Sequence, residues 1–258
     1  MNTGFEAQWK ARFEEFAGAS ESDAGIAGWS PSGLDARVRR FMELWKCDPS
    51  AALWLDAGCG AGTYSRILAN HGKSVVGTDY SLLTLVKARK RETDNVRYAQ
   101  CDVRSLPFAA CQFDGVLCFG VTQALSESES AIRELARVLR PGGRLWIDAL
   151  NEWFVVHALT RFHRRLAGKP RHLRYESPQR IKWLLSRCGF VDIVVHWLPI
   201  APASWSFVQG VLESRLFQHL LRGAPLMGRL VSHGFIVEGR LADQSSHHRD
   251  DMVADDER

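Results

Sequence analysis

The chain has 258 residues, 46% hydrophobic and 24% charged, with a formal net charge of +4. This is the length of one large α/β domain with additions, or of two small domains, and the composition of a globular protein rather than a disordered or fibrous one. No apolar run approaches the length of a membrane-spanning helix, and the leading MNTGFEAQWKARFEEF is acidic, without the apolar stretch of a secretory signal.

Helical patterns near 5–17 and 33–46 make residues 1–50 an appendage ahead of the first strand. From about 51 to 150 short apolar runs alternate with helical patterns, the rhythm of a parallel sheet covered by helices. AALWLD (Ala51–Asp56) is the first strand, Gly62–His71 a helix, and SVVGTD (Ser74–Asp79) the second strand. Ser81 is placed to cap the next helix. Val96–Cys101 and Phe113–Phe119 are the third and fourth strands. Ser126 with Glu129 reads as a capping box, and Ile132, Leu135, Ala136 and Leu139 form one apolar helical face. RPGG at 140–143 stops that helix, and Arg144–Ala149 is the fifth strand.

Beyond residue 150 the rhythm loosens. Trp153–Leu166 suits a helix, Ser177 and Pro178 start another, Val191–Trp197 is a sixth strand, Trp205–Leu221 is helical, and Phe235–Leu241 is a seventh strand. Insertions are expected near 150–176 and 198–232 within a domain spanning 51–241. The tail over 242–258 is polar and acidic, and is expected to be disordered. The six cysteines form no C-x-x-C pair, which suits free thiols in a reducing compartment, the cytoplasm by default, and no metal site.

The chemistry concentrates in LDAGCGAGTYSRIL, Leu55 to Leu68. In an open α/β sheet, ligands bind outside the carboxyl ends of the strands, and glycines there let the main chain approach them. A G-x-G-x-x-G dinucleotide fingerprint begun at Gly58 requires glycine where Thr63 stands; begun at Gly60, where Ser65 stands. No Gly-Lys-Ser/Thr follows, so a Walker loop is excluded, and Asp56 just before the loop disfavours a pyrophosphate while favouring a cationic ligand. Asp79 ends the second strand, placed for a ribose diol, and Asp102 with Val103 ends the third, suited to an adenine amino group and ring face.

With these residues LWLDAGCGAGTYSRILANHG, VVGTDYS, YAQCDVRSLPF, FDGVLCFGVTQAL and AIRELARVLRPGGRLWI resemble, in order, the motifs of the class I S-adenosylmethionine-dependent methyltransferases, nearest in flavour to the small-molecule, quinone-biosynthesis group. The resemblance covers roughly 50–150 and thins on both sides. It implies a doubly wound, mostly parallel seven-stranded sheet with an antiparallel last strand, GFIVEGRL, and S-adenosylmethionine as cofactor. By the same resemblance Gly58, Gly60 and Gly62 lie along the methionine part, with Asp56 ordering the loop or facing the methionine amino group. Asp79 then holds the ribose, Asp102 and Val103 the adenine, and Phe119 approaches the transfer site.

No general base follows from the resemblance: Gln123 stands about where many relatives carry histidine, and His157 and His163 are candidate bases from the insertion that read rather as surface residues. Trp9, Trp29, Trp153 and Trp205 are candidate walls of an apolar acceptor pocket, with Trp29, Gln123 and Trp153 as candidate substrate contacts. Between Arg161 and Lys182 eight basic residues face only Glu176, a solvated face or a patch for an anionic substrate or membrane surface. Nothing points to nucleic acid. A small-molecule methyltransferase is the leading expectation, with a catalytically lost binding scaffold and a nicotinamide oxidoreductase as alternatives, and the oligomeric state open.

Overall fold

Strands form where the apolar runs stand, and a computed structural model describes them within residues 3–45, 52–91, 93–169, 173–201 and 206–243. Three helices, α1 (Thr3–Ala19), α2 (Asp23–Ile26) and α3 (Pro31–Leu44), precede the sheet. Then come β1 (Leu53–Ala57), α4 (Thr63–Asn70), β2 (Ser74–Asp79), α5 (Leu82–Arg89), β3 (Val96–Gln100) and β4 (Phe113–Cys118). A 3-10 turn at Thr122–Ala124 leads to α6 (Glu129–Val138), β5 (Leu139–Leu150), α7 (Val155–Leu166), α8 (Pro178–Arg187) and β6 (Phe190–Leu198). Finally α9 (Ser206–Glu213), α10 (Arg215–Gly223) and α11 (Pro225–Val231) lead into β7 (Gly234–Leu241).

The seven strands lie in the order β3-β2-β1-β4-β5-β7-β6, parallel except β7, which runs antiparallel to β5 and β6. The order reverses between β1 and β4, which opens a crevice at their carboxyl ends. Successive residues of the central strands point to opposite faces, as the pleat requires. Leu55, Val116, Ile147 and Val237 pack with Ile132, Leu135, Ile181 and Leu184 of α6 and α8. Their neighbours Trp54, Leu117, Trp146 and Ile236 pack on the other face, with Phe41 of α3 and Leu68 of α4. Phe41 stacks on Trp45 at 5.5 Å and meets Trp146, Phe119 and Tyr64 edge-on, so α3 is part of this core layer.

Several sequence expectations shift. The first strand runs Leu53–Ala57, with Ala51 outside the described residues. The helix α6 does end at Val138, but Leu139 already pairs with Phe113, so the fifth strand includes the RPGG stretch and a register shift separates this first pairing from the Gly115–Arg144 one. The expected capping box does not form. Ser126 instead gives both its N–H and its hydroxyl to Glu6 of α1, a charged acceptor that outcompetes a local backbone N–H. Glu127 takes over, accepting the N–H groups of Glu129 and Ser130 at 2.6 and 3.2 Å. The helix expected over 205–221 is two, broken at Ser214, which caps α10 through the N–H of Phe217. Trp205, Cys47 and nearly all of the acidic tail lie outside the described residues.

Candidate active site: a roofed cavity at the strand ends

After β1 the chain must turn into α4 beside the end of β2. The N–H groups of Gly58 and Cys59 both donate to the Thr78 carbonyl at 2.7 Å, and the Gly60 N–H donates to the Asp79 carboxylate at 3.1 Å. The turn takes φ values of +75° and +54° at Gly58 and Gly60, the left-handed region that glycine enters without strain. A Cβ at Gly58 would lie 2.2 Å from Val121 Cγ2, whereas one at Gly60 would meet nothing within 4 Å and point into open space. That space is a cavity of about 380 Å³, of the size that holds small ligands.

Gly58, Gly60, Asp79, Asp102, Val103 and Phe119 all line this cavity. Asp79 also accepts the Ser81 N–H at 2.9 Å, and burial pushes its pKa up to about 6. Asp102 is occupied by its neighbour: Arg104 donates to it at 2.7 and 3.0 Å, and this bond, more than any other influence, holds the carboxyl below its ordinary range. Phe119 is buried against Tyr64 with ring centroids 5.0 Å apart.

Two expected residues fall outside the wall. Asp56 is fully buried beneath the loop, accepting the Ser65 hydroxyl at 2.6 Å, and burial pushes its pKa up to about 7. Gly62 caps α4 rather than facing the cavity, with a virtual Cβ 2.4 Å from the Tyr98 hydroxyl. Of the substrate candidates, Trp29 lines the cavity and lies across Gly120, whose virtual Cβ would be 2.5 Å from the indole. Gln123 is buried and lines a separate, second cavity. Trp153 is 48% exposed under the Arg229 guanidinium and lines neither, because the chain leaves the sheet edge at Asn151 and carries the indole outward. His163 is exposed, as the sequence suggested, but His157 is only 7% exposed, because His233 and Tyr175 pack against its ring.

Sequence reasoning named Trp9 as a pocket wall but missed the rest of the roof. Glu6, Trp9, Lys10 and Phe13 project from one face of α1 into the cavity wall, an i, i+3, i+4, i+7 stripe legible in the sequence once the helix is granted a buried face. Glu6 fastens the roof to both banks, receiving Arg104 from the β3 side and Ser126 from the β4 side. Burial works upward on the Glu6 pKa, but these hydrogen bonds outweigh it and the carboxyl sits below its usual value. Asp23 of α2 receives Thr63 and Arg66 from the first turn of α4, and pairs with Arg91 at 2.8 Å.

The wall suits an adenosyl sulfonium. It offers carboxylates at two strand ends, a glycine whose Cβ position is open to the ligand, and the Tyr64 hydroxyl, which is buried without a hydrogen-bond partner among the described residues. An open sheet of this order with an acid-lined glycine loop at its switch point defines a nucleoside-cofactor-binding α/β protein.

The comparisons narrow the class. Residues 55–147 match the family model described as a methyltransferase domain. The chain is 34% identical over 164 residues to malonyl-acyl-carrier-protein O-methyltransferase of Enterobacter lignolyticus, covering 61% of this chain and 59% of that protein. It is 31% identical over 109 residues to ubiquinone biosynthesis O-methyltransferase of Coxiella burnetii, covering 41% of this chain and 47% of that one. It therefore spans about half to three-fifths of these relatives' length. An S-adenosylmethionine-dependent methyltransferase from Mesorhizobium loti has the same fold, with a TM-score of 0.59, 21% identity, and 81% of this chain and all of that one covered. Residues 55–147 are thus similar to a methyltransferase domain, and the chain as a whole has the fold of a solved S-adenosylmethionine-dependent methyltransferase.

Proposed function

We propose that the protein transfers a methyl group from S-adenosylmethionine to a small-molecule acceptor that is apolar, aromatic or lipid-like. The observation that carries this reading is the roof: on its far side the cavity over the glycine loop is walled by the aromatic rings of Trp9, Phe13 and Trp29, and the roof carboxylate Glu6 is taken up by Arg104 and Ser126. The 51–241 stretch is read as the catalytic domain and residues 1–50 as its cover.

When bound, the cofactor supplies an electrophilic methyl group on a cationic sulfur. The chain's contribution is placement and dryness. Gly58 and Gly60 let the cofactor lie against the main chain, and Asp79, held by the N–H groups of Gly60 and Ser81, accepts from its ribose hydroxyls. Asp102 and Val103 face the adenine, with Arg104 fixing the carboxylate. The roof bound through Glu6 keeps water from the transfer point. Methylation of a panel of quinols, isoprenoid alcohols and polar acids tests the acceptor: turnover of the first two supports the reading, and turnover confined to polar acids contradicts it.

A second feature supports contact with an anionic membrane surface. The helix α7 and the helices α9–α11 spring from the same end of the sheet, where Leu150, Leu198 and Gly234 meet, and are joined where Asn151 Nδ2 donates to the Arg229 carbonyl at 2.7 Å. Phe207 and Leu216 are 84% and 72% exposed, and Phe162 and Leu166 project from α7 beside Arg161 and Arg165. No acid occurs between Trp153 and Tyr175 or between Ser214 and Val237. Apolar side chains with cations and no acids fit the boundary of an anionic bilayer. The other basic residues of the 161–182 stretch divide differently: Arg180 lies on α8, 3.7 Å from Glu176. Co-sedimentation with phosphatidylglycerol vesicles, lost in Phe162→Glu and absent with neutral phosphatidylcholine, is the expected result; equal sedimentation of the variant refutes it. Among the described residues no helix is long and apolar enough to cross a membrane.

A further inference from the structure

Behind Trp29 lies a second cavity of about 340 Å³. It shares Trp9, Ala27 and Trp29 with the cofactor cavity, so one tryptophan-walled partition serves both. Its remaining wall includes Arg37 of α3, Gln123 of the 3-10 turn, Leu150 at the carboxyl end of β5 and His233 just before β7. The first cavity lies at the ends of β1 to β4, and this one extends from the N-terminal helices to the ends of β5 and β7.

His233 is not an isolated ring. His157 of α7 places Nδ1 2.9 Å from the Asn151 carbonyl and Nε2 3.2 Å from His233 Nδ1. A carbonyl oxygen can only accept, so His157 Nδ1 carries a proton and, in the neutral ring, Nε2 is a lone pair. That lone pair must in turn be met by a proton on His233 Nδ1, which leaves His233 Nε2 as the bare acceptor of the chain. The direction of this relay follows from the peptide oxygen at its end.

The scaffold holding the pair is built from Asn151. Its Nδ2 donates to the carbonyls of Arg229 and Ser232 at 2.7 and 2.8 Å, its Oδ1 accepts the Trp153 N–H at 3.0 Å, and its own N–H donates to the His233 carbonyl at 3.1 Å. One buried side chain thus ties the turn carrying His233 to the start of the helix carrying His157. Phe154 and Tyr175 flank the His157 ring at 4.9 and 4.6 Å. The charged groups around the pair are cations: Arg37 from α3 and Arg161 from α7. The nearby acid Asp148 is engaged by Arg37 at 3.4 Å and by the Gly120 N–H at 2.6 Å. Burial first, then these cations, keeps both imidazoles in the neutral form that the hydrogen-bond chain requires.

We propose that the second cavity binds the methyl acceptor and that His233 Nε2 is the general base that takes its hydroxyl proton, with His157 and Asn151 positioning it; this rests on the methyl-transfer reading above. The acceptor class is an aromatic or enolic hydroxyl compound. Its ring packs on the Trp9 and Trp29 indoles, and its developing oxyanion lies near Arg37, whose guanidinium covers Trp29 at 4.4 Å. In the step, the O–H proton passes to His233 Nε2, the oxygen forms a bond to the methyl carbon, and the methyl–sulfur bond breaks with its electron pair staying on sulfur. The imidazolium then returns its proton to water. No oxidant or further reactant is needed.

The test compares wild type with His233→Gln and His157→Gln on two probes. One is a catechol whose hydroxyl titrates near the ordinary phenol value of about 10; the other is a nitrophenol already ionised at the assay pH. Cofactor affinity, measured separately by titration calorimetry, is expected to be unchanged within about twofold in both variants. With the catechol, H233Q is expected to lower kcat by about 10²–10⁴-fold. With the nitrophenolate, which needs no base, it should lose less than about tenfold. In wild type, kcat/KM with the catechol should be flat through neutral pH, with its acid limb below the ordinary histidine range. H157Q should move that limb without abolishing turnover. Equal losses of H233Q on both probes, or none on the catechol, overturn the assignment of a base. Normal cofactor binding in wild type with neither phenol methylated overturns the acceptor class, whereas absent cofactor binding refutes the underlying methyltransferase reading.

Discussion

Gly58→Ala and Gly60→Ala separate two costs that the glycine loop combines. Both positions have left-handed φ, which costs an alanine about 1–2 kcal/mol, partly offset by about 0.4–1 kcal/mol from the stiffer unfolded chain. At Gly60 nothing else is met, so the expected loss of stability is about 0.5–1 kcal/mol. At Gly58 the new methyl arrives 2.2 Å from Val121 Cγ2, far inside the usual carbon–carbon separation of about 3.5–4 Å. Val121 must leave its rotamer or the backbone must move, adding about 1–3 kcal/mol. G58A should therefore lose about 2–4 kcal/mol, a fall in Tm of roughly 4–8 °C for a chain of this size, against about 1–2 °C for G60A. Binding should rank the other way per unit of stability lost. The G60A methyl occupies the space where the cofactor lies and should weaken S-adenosylmethionine at least tenfold while the fold hardly changes. Thermal denaturation with calorimetric titration decides it, and G58A/V121A should recover part of the G58A loss. A G60A protein that binds as wild type, or a G58A protein no less stable than G60A, would show that the loop is not built as described.

Asp79 sets a pH dependence. Its folded pKa of about 6 lies above the unfolded value of about 3.9, so ionising it costs the fold stability as pH rises between these values. The ionised form is the one that accepts from a ribose, so cofactor affinity should tighten as pH rises from 5 to about 7, and Asp79→Asn should flatten that curve; an unchanged slope contradicts the role. Glu6→Ala removes the group that receives Arg104 and Ser126, and should weaken cofactor binding about three- to tenfold and speed its release, read by stopped-flow fluorescence of the roof tryptophans. Arg37→Met leaves Asp148 buried with only the Gly120 N–H, and should cost about 2–4 kcal/mol near neutral pH. Because burial already raises the Asp148 pKa, the R37M deficit should shrink as pH falls and the carboxyl protonates; a deficit independent of pH contradicts a charge origin.

The sheet was readable because its signals are local. SVVGTD is β2 residue for residue, and Ser177-Pro178 starts α8 through the Arg180 N–H at 3.1 Å. The misreadings share a cause in long-range partners. Ser126 is a sound N-cap by spacing, yet a carboxylate 120 residues away claims it. His157 sits in an insertion rich in arginine and reads as surface, but a turn 76 residues later brings His233 against it, and His157 is buried. Apart from Trp9, the roof escaped notice for the same reason: the stripe of Glu6, Lys10 and Phe13 marks a buried face without saying what it covers. Of the residues expected at the cofactor, Gly58, Gly60, Asp79, Asp102, Val103 and Phe119 line the cavity, while Asp56, though also at a strand end, and Gly62 serve the loop from beneath, which only the turn geometry reveals.

The central claim is that the roofed cavity at the β1–β4 switch point holds S-adenosylmethionine. Calorimetric titration of the full chain tests it directly, with NAD as the comparison ligand. One-to-one binding of S-adenosylmethionine and S-adenosylhomocysteine at micromolar concentrations, weakened by Asp79→Asn and absent for NAD, is the predicted result. Absence of binding at millimolar S-adenosylmethionine, or tight binding of NAD in its place, would contradict it.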